Sequence, residues 1–430
     1  MFSYIILVEK HIKRRRIKLK RIKVLLTILL VVSMPATVFA DVNIVSRAAI
    51  VIDFETGEIL FERDAHSRRA PASMTKNLTA FIVYEEIEAG NLTLDTMIRV
   101  SPFASQISAN HDQQLPVFPL RAGSYHSVDT MLHLIMLPSS NGASVAVAEH
   151  ISGSESAFAE RMNETGRSLG MYADFGNSHG ALPTFTNAYS MGRLVYEFIH
   201  RYPDILRITE KSSFVMEGHT INNTNLFLHS NNAHYFPEVD GFKTGTTALA
   251  GHCLSSTAVR DGRRIVVVTM NAAGNPGRYG DSRTLLNFGF EEAARRAANR
   301  LSVTIGGNIL EFDTAPQLID GRAMVPMRTV FEALNASIEW DDATQTVTAH
   351  TSEGNVIVLS VGSNIMYKDG IPTEIDVLPQ IIDSRVLVPT RVVAEATARR
   401  VIWDEETRTV MIEPFMFRSG HDVLVDPLQS

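Results

Sequence analysis

The stretch RAPASMTKNLTA, Arg69 to Ala80, places a serine and a lysine three residues apart where a run of helical spacing begins. Two readings compete for Ser73-x-x-Lys76. In the first, Ser73 caps the helix and Lys76 points into solvent. In the second, Lys76, one turn on, is a base that turns the Ser73 hydroxyl into a nucleophile. The four-residue string alone does not separate them, because it recurs by chance in chains of this length.

Two further short motifs follow in order. Ser139-x-Asn141 lies at a break between helices, and Lys243-Thr244-Gly245 lies on a strand whose glycine lets a ligand approach the backbone. Each is weak alone. Together, in this order and these settings, they resemble the trio of penicillin-recognising serine enzymes. The surrounding pattern supplies the fold class. AAIVIDFETGEILFERD (Ala48 to Asp64) reads as a hairpin around Glu55-Thr56-Gly57. Apolar spacing predicts helices over 73–88, over 128–151 with a break at Pro138, and over 158–171. GFKTGTTALAGHCLSSTAV and RRIVVVTMNA read as two neighbouring strands joined by Arg260-Asp261-Gly262, and SRTLLNFGFEEAARRAANR reads as a closing helix. Strands at both ends with helices between predict an α+β domain over 41–300.

Beyond residue 300 the texture changes. LIDGRAMVPMRTVFEALNASIEWDDATQTVTA (Leu318 to Ala349) returns at constant offset as IIDSRVLVPTRVVAEATARRVIWDEETRTVMI (Ile381 to Ile412), with close to half the positions identical. Each copy reads strand, helix, strand. Pro326 and Pro389 suit a first helical turn. Arg328 with Glu332, and Arg391 with Glu395, sit four apart on one helix face. Trp340 and Trp403, the only tryptophans, occupy the same repeat position. These features define a second domain, 301–414, and a tail, 415–430.

Composition narrows the class. With 430 residues, a net charge of −7 and one cysteine, Cys253, the chain lacks the basic face of a nucleic-acid binder and cannot form an intrachain disulfide. Cys253 alternates within a strand and reads as a core thiol. His229 and His234 have no cysteine or acidic cluster beside them, so no metal or cofactor is expected. At the N-terminus, basic HIKRRRIKLKRIK, apolar VLLTILLVV and small Val38 and Ala40 before Asp41 follow the order of a signal peptide over 1–40. The apolar run is short for a spanning anchor. An exported protein held by its core is the expectation.

The trio and its neighbours APASMTK, MLPSSNGASVAVAEHI, MNETGRSLGM, NTN (Asn223 to Asn225) and VDGFKTGTTALAGHCL resemble the D-alanyl-D-alanine carboxypeptidases, the low-molecular-mass penicillin-binding proteins of serine peptidase family S11, from about Ala48 to Phe290. The resemblance implies a β-lactamase/transpeptidase-like catalytic domain that removes the terminal D-alanine from peptidoglycan stem peptides, with β-lactams as covalent inhibitors. It implies Ser73 as the acyl-ester nucleophile, Lys76 as proton acceptor with the Lys243 ammonium close by, and Ser139 as proton relay. Asn141 would hold the substrate amide, Lys243 and Thr244 of the Lys-Thr-Gly245 motif the terminal carboxylate, and the Ser73 and Thr246 N–H groups the oxyanion. Two stretches depart from the family: FGNSHGAL (Phe175 to Leu182) has Ser178 where proline is usual and an extra Ala181, and SANHDQQLPVFPLRAG (Ser108 to Gly123) matches loosely. Class A β-lactamases share the trio but add a Glu-x-x-Leu-Asn loop, and no such string lies between Asn141 and Lys243. A DD-endopeptidase or transpeptidase would use the same residues; a dead wall-binding scaffold would not keep the trio intact. The repeat resembles the stalk-like domain named after the N-terminus of copper amine oxidases. With one histidine, His350, and no cysteine, it reads as a copper-free spacer or wall-contact module.

Overall fold

The computed structural model describes residues 42–109 and 119–414. The signal-peptide reading, positions 110–118 of the loosely matching stretch and the tail lie outside the described residues, as does the side chain of Glu395. The chain divides into two units, one ending at Ala293 and the other starting at Ala294.

In the first unit, strands β1 (Ala48–Asp53) and β2 (Ile59–Arg63) form the expected hairpin. Strands β3 (Val239–Thr247), β4 (Gly251–Arg260) and β5 (Arg263–Ala272) complete an antiparallel sheet in the order β2-β1-β5-β4-β3. The stretch read as one strand before Arg260 is thus itself a hairpin. Its chain reverses at 248–250, where the Ala250 N–H bonds the Thr247 hydroxyl at 3.0 Å and Gly251 takes a left-handed φ of +64°. The sheet is buried on both faces, because strands such as AAIVID and RRIVVVTMNA are apolar at successive positions and not only at alternate ones. Ile50, Ile52, Val266 and Val268 face a helical cluster, whereas Ala49, Val51, Ile265 and Val267 pack in a second cluster with Leu285, Leu286 and Phe290 of the closing helix. The helical side contains α1 (Lys76–Glu88), α2 (Val128–Met136), α3 (Asn141–Ser152), α4 (Glu155–Ser168) and α5 (Ala188–Arg201), with α6 (Gly274–Asn299) closing the unit. Helix α1 is buried all round along Lys76–Tyr84, polar Lys76, Asn77 and Thr79 included, so this stretch presents no solvent-facing side.

In the second unit the repeat holds more strands than the sequence pattern showed. Each copy is a hairpin, a helix and a second hairpin, not strand-helix-strand. The inner strands Arg322–Pro326 and Arg385–Pro389 pair antiparallel, with Val325 opposite Val388, Met324 opposite Pro389 and Pro326 opposite Leu387. Equivalent residues therefore exchange places about a local two-fold axis. Two ion pairs obey the same axis: Arg322 to Asp376 at 2.6 Å and Arg385 to Asp313 at 2.6 Å. Pro326 ends its strand with ψ of 113° and stands at the N-cap of Met327–Ala333, one position before the first helical turn. It still serves as the stop between strand and helix, because its missing N–H would leave a ladder bond unmade. Arg328 and Glu332 meet at 3.5 Å on the exposed helix face.

Candidate active site

The turn leading into α1, Ala72–Thr75, is a 3₁₀ turn with no side-chain cap. Ser73 is therefore not an N-cap. Nor does Lys76 reach solvent, since it is fully buried. Its Nζ stands 3.1 Å from Ser73 Oγ, 2.7 Å from Asn141 Oδ1 and 2.9 Å from the His179 carbonyl oxygen. Two of these partners can only accept a hydrogen, while the third is a hydroxyl. A neutral amine has two N–H bonds and one lone pair. With the hydrogens directed to Asn141 and His179, the lone pair faces the Ser73 hydroxyl, which is the arrangement a general base needs. An ordinary lysine would cost about 4.6 kcal/mol to deprotonate at pH 7. Here burial first, and then the nearby Lys243 charge, push the Lys76 pKa well below its ordinary value, while Glu155 opposes the shift.

The break at Pro138 delivers the second motif. Ser140 caps α3 through the Ala143 N–H at 3.2 Å, which sets Asn141 as the first helical residue. Ser139, just before the cap, has a φ of +71°, a conformation that costs a non-glycine residue free energy. Its Oγ is buried without a hydrogen-bond partner among the described residues. Strain and an unsatisfied hydroxyl at one residue mark a group held ready for something outside the resting structure.

The third motif lies on β3, the edge strand of the sheet. Lys243 is fully buried, donates to the Thr244 carbonyl at 3.2 Å, and is pushed down to about 7 by burial and then Arg278. Thr244 Oγ1 meets Thr224 Oγ1 at 2.6 Å. Gly245 departs from expectation. A Cβ there would lie 2.5 Å from the Pro71 carbonyl oxygen, so its missing side chain makes room for the turn that carries Ser73, not for a ligand. Thr246 Oγ1 accepts from Arg278 Nη1 at 3.2 Å. Ser73, Ser139, Asn141, Thr244, Thr246 and Arg278 all line one cleft of about 930 Å³, while Lys76 and Lys243 lie buried behind its wall.

Four groups at the site were given no role by the sequence reading: Arg278, Glu155, His179, and Thr224 of the quoted NTN. Arg278 is buried and also donates to the Gly245 and Cys253 carbonyls at 3.3 and 3.2 Å, but no motif surrounds it in the sequence. His179 lies within the quoted FGNSHGAL, and the Gly180 beside it was the available signal. A Cβ on Gly180 would stand 2.0 Å from the Ala72 carbonyl oxygen, so this loop presses directly on the serine turn. His229 Nε2 bonds the Asn223 carbonyl at 2.7 Å and His234 stacks on Tyr279, so each imidazole has a structural contact. Cys253 is a core thiol, pushed up to about 11 by burial.

This geometry agrees with what the chain is similar to. Residues 34–274 match the D-alanyl-D-alanine carboxypeptidase family of serine peptidases, S11, and the chain belongs to that family. It is 30% identical over 255 residues to D-alanyl-D-alanine carboxypeptidase DacF of Bacillus subtilis, an alignment covering 57% of this chain and 62% of that protein's length. The chain thus spans about three-fifths of the curated relatives it matches. Among solved structures, a peptidoglycan synthesis regulatory factor (PBP3) from Streptococcus pneumoniae superposes with a TM-score of 0.55 at 30% identity, over 58% of this chain and 77% of that one. Penicillin-binding protein D2 from Listeria monocytogenes, in its ampicillin-bound form, superposes with a TM-score of 0.50 at 25% identity, over 58% of this chain and 99% of that one. The first unit therefore has the α+β fold of the penicillin-binding proteins.

Residues 304–412 match the copper amine oxidase N-terminal domain. The side chains there do not make a copper site. The segment has one imidazole, His350, exposed at a strand end, and no thiol, and the thioethers of Met324, Met327 and Met366 are buried in its apolar cores, whereas copper requires several converging nitrogen or sulfur donors.

Proposed function

We propose that the protein is an exported serine-type D-Ala-D-Ala carboxypeptidase that trims the terminal D-alanine from peptidoglycan stem peptides. The observation that carries this reading is the Lys76 amine, buried and bonded to two acceptors, 3.1 Å from Ser73 Oγ at the wall of the cleft. Lys76 takes the Ser73 proton as Oγ attacks the carbonyl carbon of the penultimate D-alanine. The Ser73 and Thr246 N–H groups stabilise the oxyanion. The C–N bond then breaks. Ser139 passes the proton to the departing D-alanine amine, leaving an ester on Ser73. Water hydrolyses this ester and regenerates the hydroxyl. Asn141 orients the scissile amide, and Lys243 with Thr244 grips the free carboxylate, which selects a chain end over an internal bond.

β-Lactams, which carry a carboxylate beside a strained amide, enter the same route and stall as the ester. The ampicillin-bound form of the Listeria relative supports this. The basic, apolar and small-residue order at 1–40 supports export, and the second unit serves as a spacer or wall contact. The test is fluorescent-penicillin labelling and D-alanine release from a peptide ending in D-Ala-D-Ala, on the wild type and Ser73→Ala. The wild type should show both and the variant neither. Labelling that persists at another serine would overturn the assignment.

A further inference from the structure

One charged side chain near Lys76 has no part in the steps above. Glu155 opens α4, just after the capping residue Ser154. Its carboxylate is largely buried and reaches across to the loop at 175–182. Glu155 Oε1 accepts from Ser178 Oγ at 2.8 Å and from the Ser178 N–H at 3.3 Å. The same oxygen lies 3.4 Å from His179 Nε2. His179 Nδ1 accepts from the Ala181 N–H at 3.1 Å, so the neutral ring carries its proton on Nε2, facing the carboxylate. Burial above all holds that ring down at about 3, which makes the contact a hydrogen-bond approach from a neutral donor rather than an ion pair.

The loop is tied at three further points. Thr79, one turn beyond Lys76 on α1, donates to the Ser178 carbonyl at 2.6 Å. Asn177 Oδ1 accepts from the N–H groups of His179 and Gly180 at 3.2 and 2.6 Å. The His179 carbonyl is then left pointing at Lys76 Nζ. That carbonyl takes one of the two hydrogens of the neutral amine. Were it displaced, the amine could turn and its lone pair would no longer face Ser73.

We infer that Glu155 is a positioning residue: through Ser178 and His179 it fixes the carbonyl that orients the Lys76 lone pair toward Ser73. Its negative charge acts on Lys76 as well, in the direction that favours the ammonium. The charged and titratable groups facing Lys76 are Lys243 from β3, His179 from the loop and Glu155 from α4. The two effects have opposite consequences for catalysis, so they can be separated by substitution. Glu155→Ala removes both the anchor and the charge. Glu155→Gln keeps an oxygen that can accept from Ser178 and removes only the charge. Ser178→Ala keeps the charge and removes the shortest link.

The inference rests on the proposed function, and the readouts keep the two apart. The rate of acylation by a fluorescent penicillin is measured against pH for the full chain and the three variants, with thermal unfolding as a check on folding. Wild-type protein that does not acylate sinks the functional reading itself. If the wild type acylates, Glu155→Ala should slow it roughly 10- to 100-fold, because a misdirected base loses near-attack geometry. Glu155→Gln should lose less than Glu155→Ala, and its acid limb should move to lower pH, since without the carboxylate Lys76 gives up its proton more readily. Ser178→Ala should slow acylation without moving that limb. A folded Glu155→Ala protein that acylates at the wild-type rate overturns the inference. So does a Gln variant whose acid limb stays in place, or a Ser178→Ala protein with unchanged acylation.

Discussion

The two units show opposite uses of charge. In the first, basic side chains are buried where their charged forms are least comfortable. Lys76 and Lys243 are fully enclosed, Arg278 almost so, and none has a carboxylate as hydrogen-bond partner among the described contacts. In the second, the prominent ion pairs are exposed and repeat about the local axis: Arg322 with Asp376 and Arg385 with Asp313. A buried cation without a counter-ion costs stability and gains reactivity, because the protein destabilises its charged form. An exposed pair costs little and contributes little. The same residue types thus mark a place of chemistry in one unit and a device of folding in the other.

The contrast breaks first at Ser73. Ser73→Ala should lower penicillin acylation by roughly 10³-fold or more, to the background of uncatalysed ring opening. Both tryptophans lie in the second unit, so their fluorescence reports on that unit alone. The denaturation midpoint read at Trp340 and Trp403 should therefore not move. A labelled variant, or one whose tryptophan transition shifts, would contradict the separation.

Lys243 tests the burial argument directly. Lys243→Gln should cost several kcal/mol of transition-state stabilisation, about 10²-fold or more in kcat/KM, since a charge-assisted bond to the carboxylate is lost in a dry site. A substrate amidated at its C-terminus should lose most of its activity on the wild type and little more on the variant. The folding consequence has a definite sign. The folded-state value of about 7 lies below the ordinary 10.5, so between these the unfolded chain binds a proton that the folded chain does not. Stability therefore rises with pH across that window. Denaturant midpoints measured from pH 7 to 10 should rise less in the Gln variant, which cannot titrate there.

Much of this was readable from residue order. The trio could be found because each member combines a reactive side chain with a local signal: the start of a helical run, a proline and a strand glycine. The repeat could be found because two copies share Arg, Pro, Glu, Trp and Asp at fixed spacing. What stayed hidden depends on long-range packing. The reason for Gly245 is the Pro71 carbonyl, far away in sequence, and no local rule would pair them. Arg278 reaches its site from the first turns of the closing helix, which begins at Gly274, whereas the pattern placed its start only at Ser282. Asp313 and Asp376 lie just upstream of the recognised repeats, in DTAPQ and DVLPQ, which still share Asp, Pro and Gln but whose pairing with the two arginines only the fold shows.

Glycines sharpen the contrast between a crowded and an open unit. Gly180 combines a φ of +80° with a backbone oxygen 2.0 Å from where a Cβ would stand, whereas Gly321 has a φ of +73° and open space. Gly321→Ala should pay only for its backbone conformation, about 1 kcal/mol. Gly180→Ala adds a steric clash and should cost about 2–4 kcal/mol while also slowing acylation. Differential unfolding, read by loss of penicillin labelling for the first unit and by tryptophan for the second, distinguishes them. Equal costs would mean that the loop yields where the geometry says it is pressed.

The smallest expected effect concerns the symmetric ion pairs. Arg322 and Asp376 are 40% and 46% exposed, and Arg385 and Asp313 are 47% and 52% exposed. Pairs so well solvated contribute under about 1 kcal/mol each. Arg322→Ala and Arg385→Ala should therefore lower the tryptophan-detected midpoint slightly, and by similar amounts, because the local axis gives the two arginines the same surroundings. The arginine hydrogen bond is the main influence in each pair and holds the Asp313 and Asp376 carboxyls below the ordinary aspartate value of 3.8. A carboxyl depressed in the folded state contributes stability above the unfolded value and loses it as pH falls through the folded one. The difference between wild type and either variant should thus be constant from about pH 5 to 8 and fade below 3.8. Added salt should shrink it at neutral pH. If one arginine proves much costlier than the other, the two copies are not energetically equivalent, and the symmetry of the inner strands does not extend to the residues that tie them together.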